Sequence, residues 1–339
     1  MKILIVSPLG FAINAQTKYA GIEVLVWNYS QELSKNHDVS VLGHADSIFP
    51  DKVQLLPYKP QGNFDAELGQ YQQYQSILRQ FDVIHDFSHL HLASRFNPNL
   101  PSLNLFWHAP NEFQYPKAPY NIIGLSKWAC REFKKAYHQE AKYQQSIALD
   151  TNLYKTSDRH RNDRFLCVGR MGAEKGNLEA ALLCKELGVP LDIITASETK
   201  TGEISDYAKE VMAIADDKQI KIWWEKDYTT ESKIKMMQTN KALLYVTNRP
   251  EVTTHKGYEA LLCGMPVIVP GIGACPEWVT QGVDGYLCRT KSEYIEAMTN
   301  VNRLDPMKTL DANIVKLSIS NVVKNNIPLY QEVANGLRW

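Results

Sequence analysis

RFLCVGRMGAEKGNLEAALLCKELG, residues 164–188, sets the reading of the whole chain. Phe165–Val168 is a short apolar run of strand length, a glycine-bearing turn follows, and Asn177 opens a stretch of Ala and Leu that suits a helix. A strand passing through a tight turn into a helix is the βα unit of a parallel sheet.

The rhythm repeats outward from there. KILIVS, HDVSVL, DVIHDF, SLNLFWH, NIIGLS and QSIALD in the first half, then RFLCVG, LDIITA, KIWWE, KALLYV, PVIVP and GYLC in the second, are short apolar runs between helical patterns. Such alternation predicts parallel strands covered by helices on both faces. The helical stripes are explicit: Ile22, Val26, Tyr29 and Leu33 form one, and Ala129, Phe133 and Tyr137 form another behind a Ser126 N-cap. QYQQYQSILRQF, near residue 75, reads as a surface helix.

At 339 residues the chain exceeds what a single core usually sustains, about 250 to 300 residues, so two domains are expected. The polar, charged segment DTNLYKTSDRHRND, residues 150–163, marks the break. The expected fold class is α/β, with two Rossmann-like domains, 1–155 and 156–319, facing each other across a cleft lined by strand C-termini.

Composition narrows the partners. Lys plus Arg and Asp plus Glu are equal at 37 each, so no global field favours nucleic acid or an anionic membrane, and only a local basic patch is left for peripheral attachment. No apolar run approaches the roughly 20 residues of an integral membrane segment, and MKILIVSPLG reads as a first strand rather than a signal peptide. The six cysteines are scattered without CxxC spacing, which fits reduced thiols in a cytoplasmic protein.

Two stretches carry chemistry. In VGRMGAEKG, residues 168–176, Gly169 permits close backbone approach, Arg170 and Lys175 add two cations, and a helix N-terminus follows; together these suit a diphosphate. A charged turn with Glu174 and Lys175 in solvent is the plain alternative. In RPEVTTHKGYEALLCGMPVIVPG, residues 249–271, Glu251 and Glu259 stand with seven residues between them. Alone, that pair reads equally as a loop acid and a glutamate stabilised by a helix dipole. GIGACPEW lacks the dinucleotide spacing, and HDFSHLH has imidazoles but no further ligands, so neither a metal nor a cofactor is expected.

Taken in order, GRMGAEKG, the Glu-x7-Glu pair, CGMPVIVPGIGACPEWV and GVDGYL resemble family 4 of the retaining glycosyltransferases, sugar-nucleotide-dependent enzymes of the GT-B architecture. The resemblance is strongest over residues 165–289 and continues through YAGIE (19–23), LNLFWH (103–108), GLSKWA (124–129) and LDTNLY (149–154). The tail ISNVVKNNIPLYQEV resembles the family's last helix, about 320–339 here, which returns to the first domain.

The resemblance implies a role for each matching residue. Glu259 holds the ribose hydroxyls of the donor, Glu251 faces the transferred sugar, and the amides of Thr254 and His255 touch sugar and phosphate. Gly21 gives room beneath the diphosphate or acceptor, His108 lies beside the anomeric centre, and Gly169, Arg170 and Lys175 receive the leaving diphosphate. The implied reaction moves a sugar from a nucleoside diphosphate sugar, a UDP or GDP sugar, to the hydroxyl of a glycan, lipid-linked or small-molecule acceptor. It retains the anomeric configuration and uses no metal. Val252 and Thr254 depart from the family's Pro and Gly, which bears on the identity of the sugar. A non-catalytic nucleotide-sugar-binding subunit, a GT-B-like nucleotide-sugar epimerase and a phosphorolytic enzyme are the alternatives. A dehydrogenase is disfavoured, because VSPLGFAINA lacks the glycine fingerprint.

Overall fold

In a computed structural model, residues 1–15, 17, 21–60, 66–107, 118–155, 160–195 and 204–339 are described. The chain divides into two compact units: Met1–Asp150 together with Leu317–Trp339, and Thr151–Lys316.

Among the described residues the first unit holds a parallel sheet of seven strands: β1 (Lys2–Val6), β2 (Asp38–His44), β3 (Val53–Tyr58), β4 (Val83–Asp86), β5 (Ser102–Phe106), β6 (Ile122–Gly124) and β7 (Ala141–Tyr143). Their order is β3-β2-β1-β4-β5-β6-β7. Ile3 pairs with Val39 on one side and Val83 on the other, and Ile3, Leu4 and Ile5 are wholly buried, as a central strand covered on both faces requires. The helices are α1 (Gly21–Leu33), α2 (Ala66–Tyr74), α3 (Leu92–Phe96) and α4 (Lys127–Tyr137). Ser126 caps α4 by accepting from the Ala129 amide at 3.0 Å.

The second unit repeats the plan with six parallel strands among the described residues: β8 (Phe165–Val168), β9 (Leu191–Thr195), β10 (Ile220–Trp224), β11 (Leu243–Leu244), β12 (Val267–Pro270) and β13 (Gly285–Cys288). Their order is β10-β9-β8-β11-β12-β13. Its helices are α5 (Asn177–Glu186), α6 (Asp206–Ile214), α7 (Thr230–Thr239), α8 (His255–Leu262), α9 (Cys275–Trp278), α10 (Lys291–Asn300) and α11 (Pro306–Leu317). Ala180, Leu183 and Cys184 of α5 pack with Leu191, Ile193, Leu244 and Ile268 of the sheet and Tyr294 of α10.

The order of the second sheet reverses at its centre. The chain leaves β8 through α5 to reach β9 on one side, and leaves β11 through α8 to reach β12 on the other. The neighbouring strands β8 and β11 therefore flank the reversal point of the sheet, where open α/β sheets leave a crevice outside the strand C-termini.

The final helix, α12 (Ile319–Ala334), belongs to the first unit. Tyr330 of α12 and His85 of β4 share a hydrogen bond of 2.7 Å, and burial pushes the His85 imidazole down to about 3, so the pair is neutral. Asn326 donates to the Tyr29 hydroxyl at 3.1 Å, and the Trp339 amide donates to Asn121 at 3.0 Å.

The structure differs from the sequence reading at three strands. QSIALD forms none: its buried Ile147–Leu149 meets only an isolated bridge from Leu149 to Ser318, with the Leu149 amide donating to Leu317 at 2.8 Å. A short buried apolar run that bonds outside a sheet has the same composition as a strand. Conversely, β3 and β7 are the edge strands of their sheet, partly exposed and weakly patterned, and the sequence gives little notice of either. No helix among the described residues is long and apolar enough to cross a membrane.

Candidate functional site

The two loops at the reversal point of the second sheet are tied to each other. After β8, the Gly169 amide donates to Ile194, Ala173–Lys175 forms one 3-10 turn, and Gly176 enters α5 with φ of 67°. A Cβ on Gly176 would sit 1.6 Å from the Val246 carbonyl oxygen, so only glycine lets the turn lie against the segment after β11. From that segment, Thr247 and Tyr245 donate to the Glu174 carbonyl at 3.1 and 3.3 Å. A third loop, after β12, completes the support: the Ala274 amide donates to the Glu251 carbonyl at 3.0 Å, beside Gly273 at φ of 60°.

This scaffold brings residues far apart in sequence into contact. Lys175 donates to the Glu251 carboxylate in a part-buried ion pair. Burial pushes the Glu251 carboxyl up, but the charges of Lys256 and Lys175 and the Lys175 hydrogen bond outweigh it, so the group stays ionised below its ordinary value. Lys256, in the first turn of α8, lies over the Tyr245 ring at 3.7 Å with its ammonium buried. Burial pushes that ammonium down to about 8, with Glu251 opposing. A Cβ on Gly169 would stand 3.2 Å from the Lys256 Nζ and 3.4 Å from the Lys175 stem.

Along α8 the remaining candidates follow the helix. Thr254 is the N-cap, its hydroxyl accepting from the Gly257 amide at 3.4 Å. His255 is next; burial holds its imidazole below the ordinary value, and its Nε2 has no hydrogen-bond partner among the described residues. Glu259 is buried and doubly held: Lys233 of α7 donates to both carboxylate oxygens at 3.0 Å, and the Tyr154 hydroxyl donates at 2.7 Å. Burial alone would push the Glu259 carboxyl up, but Lys233 and His255, with those hydrogen bonds, bring it below its usual value.

Gly169, Lys175, Glu251, Thr254, His255 and Glu259 thus share one end of the second sheet, on two adjoining loops and the helix that follows. Arg170 is exposed and paired with Glu174 at 3.0 Å. Gly21 opens α1 of the first unit, and His108 lies outside the described residues. Lys256, Lys233, Tyr154 and Gly176 were not singled out by the sequence reading. A lysine in the first turn of a helix, against its dipole, is the one signal that could have found Lys256. Among the described residues no three His, Cys, Asp or Glu side chains gather to hold a metal ion.

No family model matches the chain, and no curated protein matches it. Solved structures do. A sucrose-phosphate synthase from Thermosynechococcus elongatus matches with a TM-score of 0.77 at 12% identity, over 99% of this chain and 100% of that one. AviGT4, a glycosyltransferase involved in avilamycin A biosynthesis, matches at 0.74 with 17% identity over 100% and 99% of the two chains. HepE of Anabaena, solved with UDP and glucose, matches at 0.73 with 18% identity over 99% and 100%.

The fold is GT-B. Both parallel-sheet units are accounted for along the full length of these neighbours, including the helix α12 that rejoins the first unit. Within this GT-B chain, charged side chains gather near the reversal point between β8 and β11: the part-buried Lys175 and Glu251 with Lys256 in one cluster, and the buried pair Lys233 and Glu259 in the next. Buried ions are costly unless paired.

Proposed function

We propose that this chain is a retaining glycosyltransferase that transfers a sugar from a nucleoside diphosphate sugar to an acceptor hydroxyl. The supporting observation is the cluster of Lys175, Lys256 and Glu251 at the reversal point of the second sheet, with Glu259 one helical segment away. Lysine ammonium groups there would meet the negative charge that develops on the departing diphosphate, a stabilisation delivered where the transition state needs it. In this reading Gly169 and Lys175 border the diphosphate, Arg170 swings from Glu174 to join them, and the amides of Thr254 and His255 face sugar and phosphate. Glu251 orients the transferred sugar and Glu259 accepts from the ribose hydroxyls, each carboxylate oxygen having capacity beyond its present donors.

The second unit, residues 156–319 in the sequence reading, then serves the donor, while the first unit supplies the acceptor side with Gly21 and His108. The side-chain cations take the place of a divalent metal, and no cofactor enters the reaction. HepE, of the same fold, is solved with UDP and glucose, and a UDP or GDP sugar is the donor class we assign. No two of the six cysteines form a disulfide, in keeping with the cytoplasmic setting we assign.

The test is product analysis with sugar-labelled UDP and GDP donors in the presence of glycan, lipid-linked and small-molecule acceptors. The reading predicts free nucleoside diphosphate and a glycoside, or slow donor hydrolysis, with the anomeric configuration kept. An isomerised donor, or binding with neither hydrolysis nor transfer, would overturn it.

A further inference from the structure

We propose that Lys256 is an additional anion-binding residue of the donor site, its ammonium group donating to a phosphate oxygen of the bound nucleoside diphosphate through the gap left by the absent side chain of Gly169. The inference rests on the donor reading and assigns a specific contact within it.

The Lys256 Nζ is buried and has no hydrogen-bond acceptor among the described residues. An ammonium carries three donors, and the Tyr245 ring at 3.7 Å replaces only part of the hydration they lose. A fold that carries a buried, unaccepted cation normally does so for a partner of opposite charge. Its position compounds the cost. Lys256 is the second residue of α8, where the helix dipole is positive and a cation is disfavoured.

The surroundings show which charge is missing. Glu251 is the carboxylate that faces Lys256, and it is already engaged by Lys175. Cys167 and Cys275 also approach, but burial pushes their thiols up to about 11 and about 12, so neither is an anion at neutral pH. Burial likewise keeps the Tyr245 hydroxyl protonated. Two cations therefore share one anion. Gly169 stands directly above both: a side chain there would begin 3.2 Å from the Lys256 Nζ and 3.4 Å from the Lys175 stem. A compact oxyanion resting on the Gly169 backbone meets the Lys256 ammonium and lies against the Lys175 side chain, which supplies the negative charge that a neutral sugar lacks.

Protonation gives a readout that simple packing would not move. Lys256 sits at about 8 in the free protein because burial outweighs Glu251. A phosphate oxygen beside it favours the charged form, so binding at about pH 8 draws a proton from solution. Titration of UDP and GDP by calorimetry in two buffers of different ionisation heat measures that uptake. The parent is expected to bind with fractional proton uptake. Lys256→Met should bind about 10- to 100-fold more weakly and take up no proton. Lys256→Arg, whose charge does not titrate in this range, should retain most of the affinity while the proton uptake disappears. Should Lys256→Met not fold, the arginine variant decides alone. Equal affinity and equal uptake in Lys256→Met, or unchanged uptake in Lys256→Arg, overturns this inference and leaves the donor reading standing. Failure of the parent to bind any nucleoside diphosphate overturns the donor reading, and this inference with it.

Discussion

Lys233→Met offers the sharpest test of how the second unit holds Glu259. The substitution keeps a stem of similar length and removes the charge that meets both carboxylate oxygens at 3.0 Å. Both side chains are about nine-tenths buried, at 10% and 9% exposure, so solvent screening is slight. At an effective dielectric near 20, one such contact corresponds to about 5 kcal/mol of attraction, part of which burial of the two ions already offsets. Removing one partner leaves the other charge buried, which typically costs about 3–5 kcal/mol. The 2.7 Å hydrogen bond from Tyr154 survives, which places the expected loss at about 3 kcal/mol, a large share of the roughly 5–15 kcal/mol that a folded domain possesses.

The pH dependence carries its own sign. In the parent the Glu259 carboxyl lies below its ordinary value, so its contribution is present above that ordinary value and is lost as pH falls through the lower folded one. In Lys233→Met the burial that opposes ionisation is no longer outweighed, and the carboxyl rises. The variant then gains stability relative to the parent as pH falls from neutral towards about 4. Urea denaturation followed by tryptophan fluorescence at both pH values, with the transitions of the two units fitted separately, measures this. A variant within about 1 kcal/mol of the parent at neutral pH, or a deficit that does not narrow in acid, would refute the reasoning.

Other perturbations probe the same scaffold. Gly176→Ala drives a Cβ to 1.6 Å from the Val246 carbonyl at φ of 67°, so it should destabilise the second unit by more than about 2 kcal/mol and lower donor turnover. Gly188→Ala is the control: at the same φ, with no atom within 4 Å, it should cost only about 1 kcal/mol in the same melt. Tyr154→Phe deletes one hydrogen bond to a buried carboxylate and should cost about 1.5–3 kcal/mol. Combined with Lys233→Met, its effect should depart from additivity in a double-mutant cycle, because both act on Glu259. Lys175→Met, at a half-buried position paired with Glu251, should reduce transfer about 100- to 1,000-fold in a labelled-donor assay, with a smaller loss of thermal stability than Lys233→Met because Lys256 still acts on Glu251.

The fold was legible wherever strands are covered on both faces. Ile3–Ile5, Phe165–Val168 and Val267–Pro270 are continuous apolar runs because helices pack on each side. The reading weakened at the margins of the sheets: β3 contains Pro57 and alternates with exposed residues, β7 is three residues long, and β11 keeps only Leu243 and Leu244 of KALLYV. Candidate residues close together in sequence were picked out by their motifs. What the motifs could not supply were long-range partners. Tyr154 reaches Glu259 across 105 residues and Lys175 reaches Glu251 across 76, and nothing local to either marks its partner. Arg170 shows the converse: its exposed partner Glu174 lies only four residues on, within the same turn, yet the sequence reading assigned Arg170 to the diphosphate instead.

The account stands or falls on what occupies the crevice between β8 and β11. The most direct measurement is a crystal structure of the protein soaked with a nucleoside diphosphate sugar. Density for the diphosphate over Gly169, within hydrogen-bond reach of Lys175 and Lys256, with the ribose hydroxyls on Glu259, is the predicted result. A nucleotide bound elsewhere on the chain, or that crevice empty at saturating donor, would contradict it.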